Sequence, residues 1–362
     1  MIRTLQKHFN PSNTFQPWLE EERARRERES KFQRKRRRHQ RLDVKIGHGG
    51  TLDPLATGVL ITGIGKGTKS LQDFLACTKS YETVVGFGAE TDTYDRLGKI
   101  VRRAPYEHVT REAVEKALAQ FRGKIMQQPP IFSALRVDGK KLYEYAREGK
   151  MPPIEIKHRP VEVLEMEIVE WYEPGTHEFK FPEQEMTGDE KIVAEKLLDK
   201  DASVPAAPTA EGEVAGQEAE ASSSTKRKSP PPSDEVKEDS AEASKKQKVS
   251  ETEAAPAASE SAAASTEQTK TRTPAVKIKM TVTSGFYVRS LAHDLGKAVG
   301  SSAYMSELIR SRQGDYELDP EKVLEYKDLE AGEEVWGPKV AKFLGEWEEK
   351  RANNAEAVAV QQ

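Results

Sequence analysis

Apolar positions along the chain fall into two periods. Val276, Ile278, Met280 and Val282 alternate with Lys277, Lys279 and Thr281, the period of a half-buried strand. Tyr81, Thr83, Val85 and Phe87 alternate with Glu82, Val84, Gly86 and Gly88 and predict a second strand. Val161 to Tyr172, apolar and charged by turns, predicts a third. Val59-Leu60-Ile61 and Ile64, bounded by glycines, predict a short buried strand. The other period is helical. Ala113, Val114, Ala117, Leu118 and Phe121 predict a helix that Thr110 caps and Gly123 ends. Val288, Leu291, Ala292, Leu295 and Ala298 predict another, ending near Gly300. Thr91 to Gly98, rich in Asp, Thr and Gly, reads as a turn. Strands and helices are mixed on both sides of a long polar stretch, so the chain reads as one α/β body with an excursion in the middle.

Composition localises that excursion. Of 362 residues 36% are apolar and 32% charged, more polar than a fully folded chain. From Pro182 to Ala275 there is no aromatic residue, and such a segment buries too little apolar surface to offset its chain entropy. Asp201 to Pro274 carries 14 acidic and 9 basic residues, so the formal charge of −3 becomes +2 for the remainder. Basic residues cluster there: Lys31 to Arg41 holds seven, with no acid. That run reads as a solvated helix or insert, as a phosphate-binding arm, or as an import signal. Met1 to Phe9 reads as a short polar helix with some likeness to a mitochondrial presequence. Lys226-Arg-Lys228 and Lys245-Lys-Gln-Lys248 read either as a bipartite import signal or as scattered lysines in a spacer.

Cys77 is the single cysteine, which excludes an internal disulfide and a cysteine-rich zinc site. The seven histidines show no ligand spacing, so no metal is expected. No stretch of 18 apolar residues predicts a membrane span, and no secretory segment is evident. Gly63-Ile-Gly-Lys-Gly-Thr68 fails the phosphate-loop spacing, because with Gly65-Lys66 as the last pair the first glycine's position is Leu60 and the residue after Lys66 is Gly67.

The remaining motif is Gly47-His-Gly-Gly-Thr-Leu-Asp-Pro-Leu-Ala-Thr-Gly-Val-Leu60. By itself Asp53-Pro54 is an ordinary turn. The whole gapless run resembles the signature of the TruB branch of the pseudouridine synthases. The resemblance continues through Lys79-Ser-Tyr81, Gln128 to Arg136, Gly139 to Gly149, Ser284-Gly-Phe-Tyr-Val-Arg-Ser290 with Asp294-Leu-Gly296, and Leu308-Ile-Arg-Ser-Arg312. It is strongest toward the eukaryotic, fungal-type stand-alone tRNA pseudouridine(55) synthases, which share the Gly-His-Gly-Gly start, a basic insert before it and an acidic insert before the third motif.

What the resemblance implies is specific. The fold is α/β (α+β): a mixed, largely antiparallel sheet flanked by helices, with a long disordered insert. The regions are a basic N-terminal part at 1–45, a catalytic part at 46–182 with an RNA-gripping thumb at 127–150, the insert at 183–274, a second catalytic part at 275–330 and a C-terminal helix at 331–362. The reaction breaks the glycosidic bond of uridine, turns the uracil and joins carbon 5 to the sugar, without cofactor or metal. Asp53 is the catalytic carboxylate, Arg289 its cation and Tyr81 the residue stacked on the base, with deprotonation at carbon 5 as a second role. Tyr287 also contacts the base, and the two residues 287 and 289 would share a face on an extended backbone. His48 fills the gap left by the flipped nucleotide. Arg136, Lys140, Lys141 and Arg147 contact phosphates of the tRNA T-arm. Messenger RNA is a further substrate class left open. No guide RNA and no membrane are expected as partners, and the chain reads as a monomer of nucleus or mitochondrion. Only 47 residues follow Asp315, too few for the RNA-binding domain of the guide-dependent dyskerin type. The family's opening strand, which ends in Lys-Pro-x-Gly, is not found before Met1-to-Phe9, which suggests a misplaced start or a shortened isoform. The alternative function is a non-catalytic RNA-binding or tRNA-folding protein on the same fold.

Overall fold

The computed structural model describes residues 1–37, 40–148, 150, 152–188, 191–192, 194–195 and 273–360. The helices are α1 (Ile2–Phe9), α2 (Gln16–Glu27), α3 (Lys31–Arg36), α4 (Leu71–Ala76), α5 (Arg111–Leu118), α6 (Leu142–Arg147), α7 (Val288–Ala298), α8 (Tyr326–Glu330) and α9 (Glu333–Val360). The strands are β1 (Ile46–His48), β2 (Thr57–Gly58), β3 (Thr62–Ile64), β4 (Lys79–Phe87), β5 (Ala89–Thr91), β6 (Lys99–Arg103), β7 (Gly123–Gln127), β8 (Arg136–Val137), β9 (Lys140–Lys141), β10 (Arg159–Tyr172), β11 (Gln184–Glu185), β12 (Ala275–Val282), β13 (Ala303–Gln313) and β14 (Tyr316–Glu317). The proposed import signals at 226–228 and 245–248 lie outside the described residues.

The main sheet runs β14-β13-β4-β12-β10-β7, with β2 added in parallel to β13. Every pairing along that path is antiparallel. The alternation in β12 sends Val276, Ile278, Met280 and Val282 into the core, while Lys277 pairs across the sheet with Glu82 at 3.0 Å. Against the apolar face lie α5 and α7, which contribute Val114, Leu118, Leu291, Ala292 and Leu295 to one core with Val85, Phe87 and Ile278. Each of these side chains larger than alanine contributes about 1.5–3 kcal/mol by leaving water. Contact between α7 and β13 is close: a Cβ on Gly296 would lie 2.4 Å from the Ala303 amide nitrogen.

Three expectations need correction. Val59 to Ile61 are not a strand: pairing falls on either side of them, at β2 and β3, because Val59 is turned by its bonds to Arg310. The helix starting at Thr110, whose Oγ1 accepts from the Ala113 amide at 3.2 Å, tightens at Ala119–Phe121 into a 3-10 turn before Gly123. The Met1-to-Phe9 helix is not simply polar. Leu5, Phe9, Phe15, Leu19 and Val44 pack with Leu329, Trp336 and Val340 into a second core, with the Phe9 and Trp336 rings 4.9 Å apart. Few apolar residues lie there, but at i, i+4 spacing they share one helical face.

Candidate active site

The motif loop leaves β1, which pairs with β3 in a small two-stranded sheet, after His48 and joins the main sheet at β2. It is held from below by β13. Arg310, 1% exposed, donates from Nε to the Val59 carbonyl at 2.7 Å and from Nη2 to the Gly50 carbonyl at 3.3 Å. Gln313 donates to the carbonyls of Gly49 and Phe74. Gly58 has φ +99°, and a Cβ there would sit 2.2 Å from the Arg310 carbonyl oxygen. Only glycine permits that turn and that approach.

Asp53 projects from this loop onto Arg289. The pair is bidentate: Nε to Oδ2 at 2.9 Å and Nη2 to Oδ1 at 2.8 Å. Arg289 is placed by α7, which starts at Val288 with Tyr287 as its N-cap. Residues 287 and 289 therefore do not lie together on an extended backbone, as the sequence suggested, since Arg289 is in the first helical turn. No side chain of α7's own caps that end. Gln127 at the end of β7 instead pins the N-cap residue itself, accepting from the Tyr287 amide at 2.7 Å and donating to its carbonyl at 3.0 Å.

The guanidinium has two further anchors, the carbonyls of Thr93 and Phe132, each 3.0 Å away. Asp95 lies 3.9 Å from Nε, and burial pushes its carboxyl above the usual range, against the pull of Arg289. The Thr93 carbonyl is aimed by an unusual turn. Tyr94 has φ +62°, a left-handed conformation costly for a bulky residue. Its ring stacks on His293 at 4.0 Å, one helical turn along α7 from Arg289. His293 Nδ1 lies 2.8 Å from Glu90, and both side chains are buried. Burial pushes the Glu90 carboxyl up, but His293, with Lys297 and Arg102, outweighs it and holds Glu90 below its usual value.

Tyr81 faces Arg310 across the β4–β13 pairing. Its ring is 8% exposed; burial pushes its phenol up, the Arg310 guanidinium opposes this, and the charge of Asp53 adds to the rise. Tyr287 is half-buried, with the Arg159 guanidinium 4.7 Å from its ring centre. His48 is half-buried on β1, with Nδ1 turned inward. Arg136, Lys140, Lys141 and Arg147 form a separate group on the β8–β9 hairpin and α6. There Arg136 bonds the Gly139 carbonyl, Lys140 pairs with Glu148, and Lys141 and Arg147 lie over the Tyr143 ring. The base of this thumb reaches the site through the Phe132 carbonyl.

The structure thus brings Asp53, Arg289 and Tyr81 into one electrostatic unit. Arg310, Gln127 and Tyr94 join it, and sequence reasoning assigned none of them a role. Arg310 does lie in the Leu308-to-Arg312 element, where a second glance at an arginine within an apolar strand would have raised the question. Among the described residues no cluster of three or more His, Cys, Asp or Glu side chains is arranged to hold a metal ion.

Residues 35–188 match the model described as TruB family pseudouridylate synthase, N-terminal domain. The chain is 39% identical over 304 residues to tRNA pseudouridine synthase 4 of Schizosaccharomyces pombe, a match covering 82% of this chain and 72% of that one. It is 32% identical to tRNA pseudouridine synthase 4 of Saccharomyces cerevisiae, covering 84% and 69%. A solved Cbf5–Nop10–Gar1 complex contains a chain aligned at TM-score 0.38 and 19% identity, covering 78% of this chain and 44% of that one. With identity at this level across more than two-thirds of two curated relatives, the chain belongs to the TruB family of pseudouridine synthases.

Proposed function

We propose that the chain acts on the position-55 uridine in the T-loop of tRNA, with Asp53 as the catalytic group. The chain is a tRNA pseudouridine synthase, and so an isomerase. The N1–C1′ bond breaks, the uracil turns, a C5–C1′ bond forms, and the C5 proton is released while N1 gains one. Atoms and electrons balance without an external reductant. Asp53 acts as nucleophile or base at the sugar, where a carboxylate is needed. The observation that carries this reading is the bidentate Asp53–Arg289 pair: both oxygens have a fixed direction before RNA arrives.

The target nucleotide must leave its stack, at a cost of a few kcal/mol. In this proposal His48 fills its place, and Tyr81 and Tyr287 receive the base, so stacking recovers part of the cost. A neutral Tyr81 ring suits stacking. Arg310 at its hydroxyl lowers the cost of forming the phenolate that removal of the C5 proton needs. Arg136, Lys140, Lys141 and Arg147 meet phosphates of the arm, which gives recognition by shape and backbone. The proposal includes action by the single chain without a guide RNA, and on messenger RNA loops that mimic the arm.

The test is tritium release from C5-labelled uridine in a synthetic T-arm stem-loop, using purified chain alone. Release by the parent and none by Asp53→Asn, with RNA binding retained, supports the proposal. No release by the folded parent chain rejects it. Equal release by parent and Asp53→Asn rejects the assignment of Asp53.

A further inference from the structure

α3 looks at first like an unremarkable charged helix, six residues long and with no buried side chain. So short a helix does not hold itself together in water. Here it is held. Ser30 and Gln33 form a capping box, the Ser30 Oγ accepting from the Gln33 amide at 3.3 Å and Gln33 Oε1 accepting from the Ser30 amide at 3.0 Å. Arg37 reaches Glu29 at 3.4 Å and Glu22 at 3.6 Å, and Arg34 bonds the Glu27 carbonyl. At 100° per residue Gln33, Arg34 and Arg37 share the side turned toward α2, and Lys31, Phe32, Lys35 and Arg36 share the other within about 140°.

That outer side is a phenyl ring, 71% exposed, framed by three exposed cations. A lone exposed apolar residue needs no explanation. An exposed aromatic ring on an anchored helix, with a cation on either flank, has the composition of a surface for single-stranded nucleic acid: cations track phosphates and the ring takes an unpaired base. The surface is also tied to the active site. Twelve residues separate Arg36 from His48, at most about 40 Å of chain. The strap between them is bound back by Gln6 and Asn10 to Val44, at 3.0 and 2.8 Å, and by Arg26 to the carbonyls of Gln40 and Arg41.

We infer that the outer side of α3 is a second RNA contact, in which Phe32 stacks on an unpaired base of the tRNA outside the target nucleotide while Lys31, Lys35 and Arg36 neutralise neighbouring phosphates. This rests on the tRNA reading above. Stacking and charge neutralisation leave different signatures, so each half of the inference has its own readout.

The experiment measures binding of whole tRNA to the full chain by fluorescence anisotropy across a salt series, for the parent, Phe32→Ala, Phe32→Trp, and a triple variant with Lys31, Lys35 and Arg36 each changed to Gln. Loss of three phosphate contacts flattens the slope of log affinity against log salt by about 2–3. Phe32→Ala weakens binding about tenfold at every salt concentration and leaves the slope unchanged. Phe32→Trp keeps the affinity, and its emission in excess of the parent's four tryptophans is quenched by tRNA but not by inorganic phosphate. A parental slope in the triple variant overturns the charge contact. Trp emission indifferent to tRNA overturns the stacking. Variants that change only nuclear accumulation assign the helix to an import receptor and overturn the inference. Tritium release by the parent chain, measured alongside, reports on the enzyme reading: if release occurs and α3 variants bind like the parent, only the α3 inference falls.

Discussion

Arg289→Met is the change that most directly tests the site, because the cost can be worked out contact by contact. Methionine keeps an unbranched stem and removes four hydrogen bonds, two to Asp53 and one each to the carbonyls of Thr93 and Phe132. Deleting one member of a buried ion pair costs about 3–5 kcal/mol. The Arg289 side chain is 6% exposed and that of Asp53 26%, so solvent reaches the orphaned carboxylate, and the discounted figure is about 2–3 kcal/mol. The two carbonyls add about 1 kcal/mol between them. Asp53→Asn leaves Arg289 its two carbonyls and Asp95, and costs about 1–2 kcal/mol. The double variant has no orphaned charge at position 53, so a double-mutant cycle read by urea unfolding at pH 7 gives a coupling of about 1.5 kcal/mol or more. Additivity within about 0.5 kcal/mol refutes the claim that the pair acts as a unit. Activity falls further than stability: a reacting group displaced by about 1 Å costs on the order of a hundredfold in kcat. RNA affinity changes little, and Arg289→Lys does not recover the rate, because an ammonium cannot reproduce the two-pronged geometry.

Three further outcomes follow from the same geometry. Burial raises the Tyr81 phenol above its ordinary value near 10, so the protonated folded form is favoured: its contribution to stability is full below about pH 10 and declines as the pH rises through the folded value. Ultraviolet titration of parent minus Tyr81→Phe shows one phenolate appearing above pH 10, and one appearing at or below 10 contradicts the burial. His293→Leu takes from buried Glu90 its nearest partner, leaving the weaker attraction of Lys297 and Arg102, and destabilises by about 2 kcal/mol, whereas adding Glu90→Leu recovers about half, as thermal unfolding of the pair of variants shows. Gly58→Ala places a methyl against the Arg310 carbonyl at a positive φ; it lowers stability by about 2 kcal/mol or more, and a wild-type urea midpoint disproves the close approach.

How much of this was legible in the sequence depended on whether the cause was local. β4, β12 and α7 could be read because alternation and 3.6-residue spacing are local consequences of burial on one face. Val59 to Ile61 misled because apolar character there reflects burial of a loop held by Arg310, a residue 251 positions away. The start of α7 gave no cap signal, since no side chain caps it and the N-cap residue Tyr287 is held by Gln127, 160 residues earlier. Asp53 and Arg289 were legible only through their motifs; nothing in their spacing says that they meet. The left-handed turn at Tyr94 was invisible: tyrosine carries no preference for it, and the His293 ring that supports it belongs to another element.

The anchoring of Arg289 by two main-chain carbonyls has a consequence for selectivity. Those carbonyls belong to the protein, so under the proposed function the Asp53 carboxylate is aligned before any RNA arrives. Discrimination must then occur at admission, among loops that differ in how readily one nucleotide swings outward and how well the surrounding phosphates meet the protein's cations. Under the proposed function, tRNA loops of similar contour are processed in order of their ease of eversion.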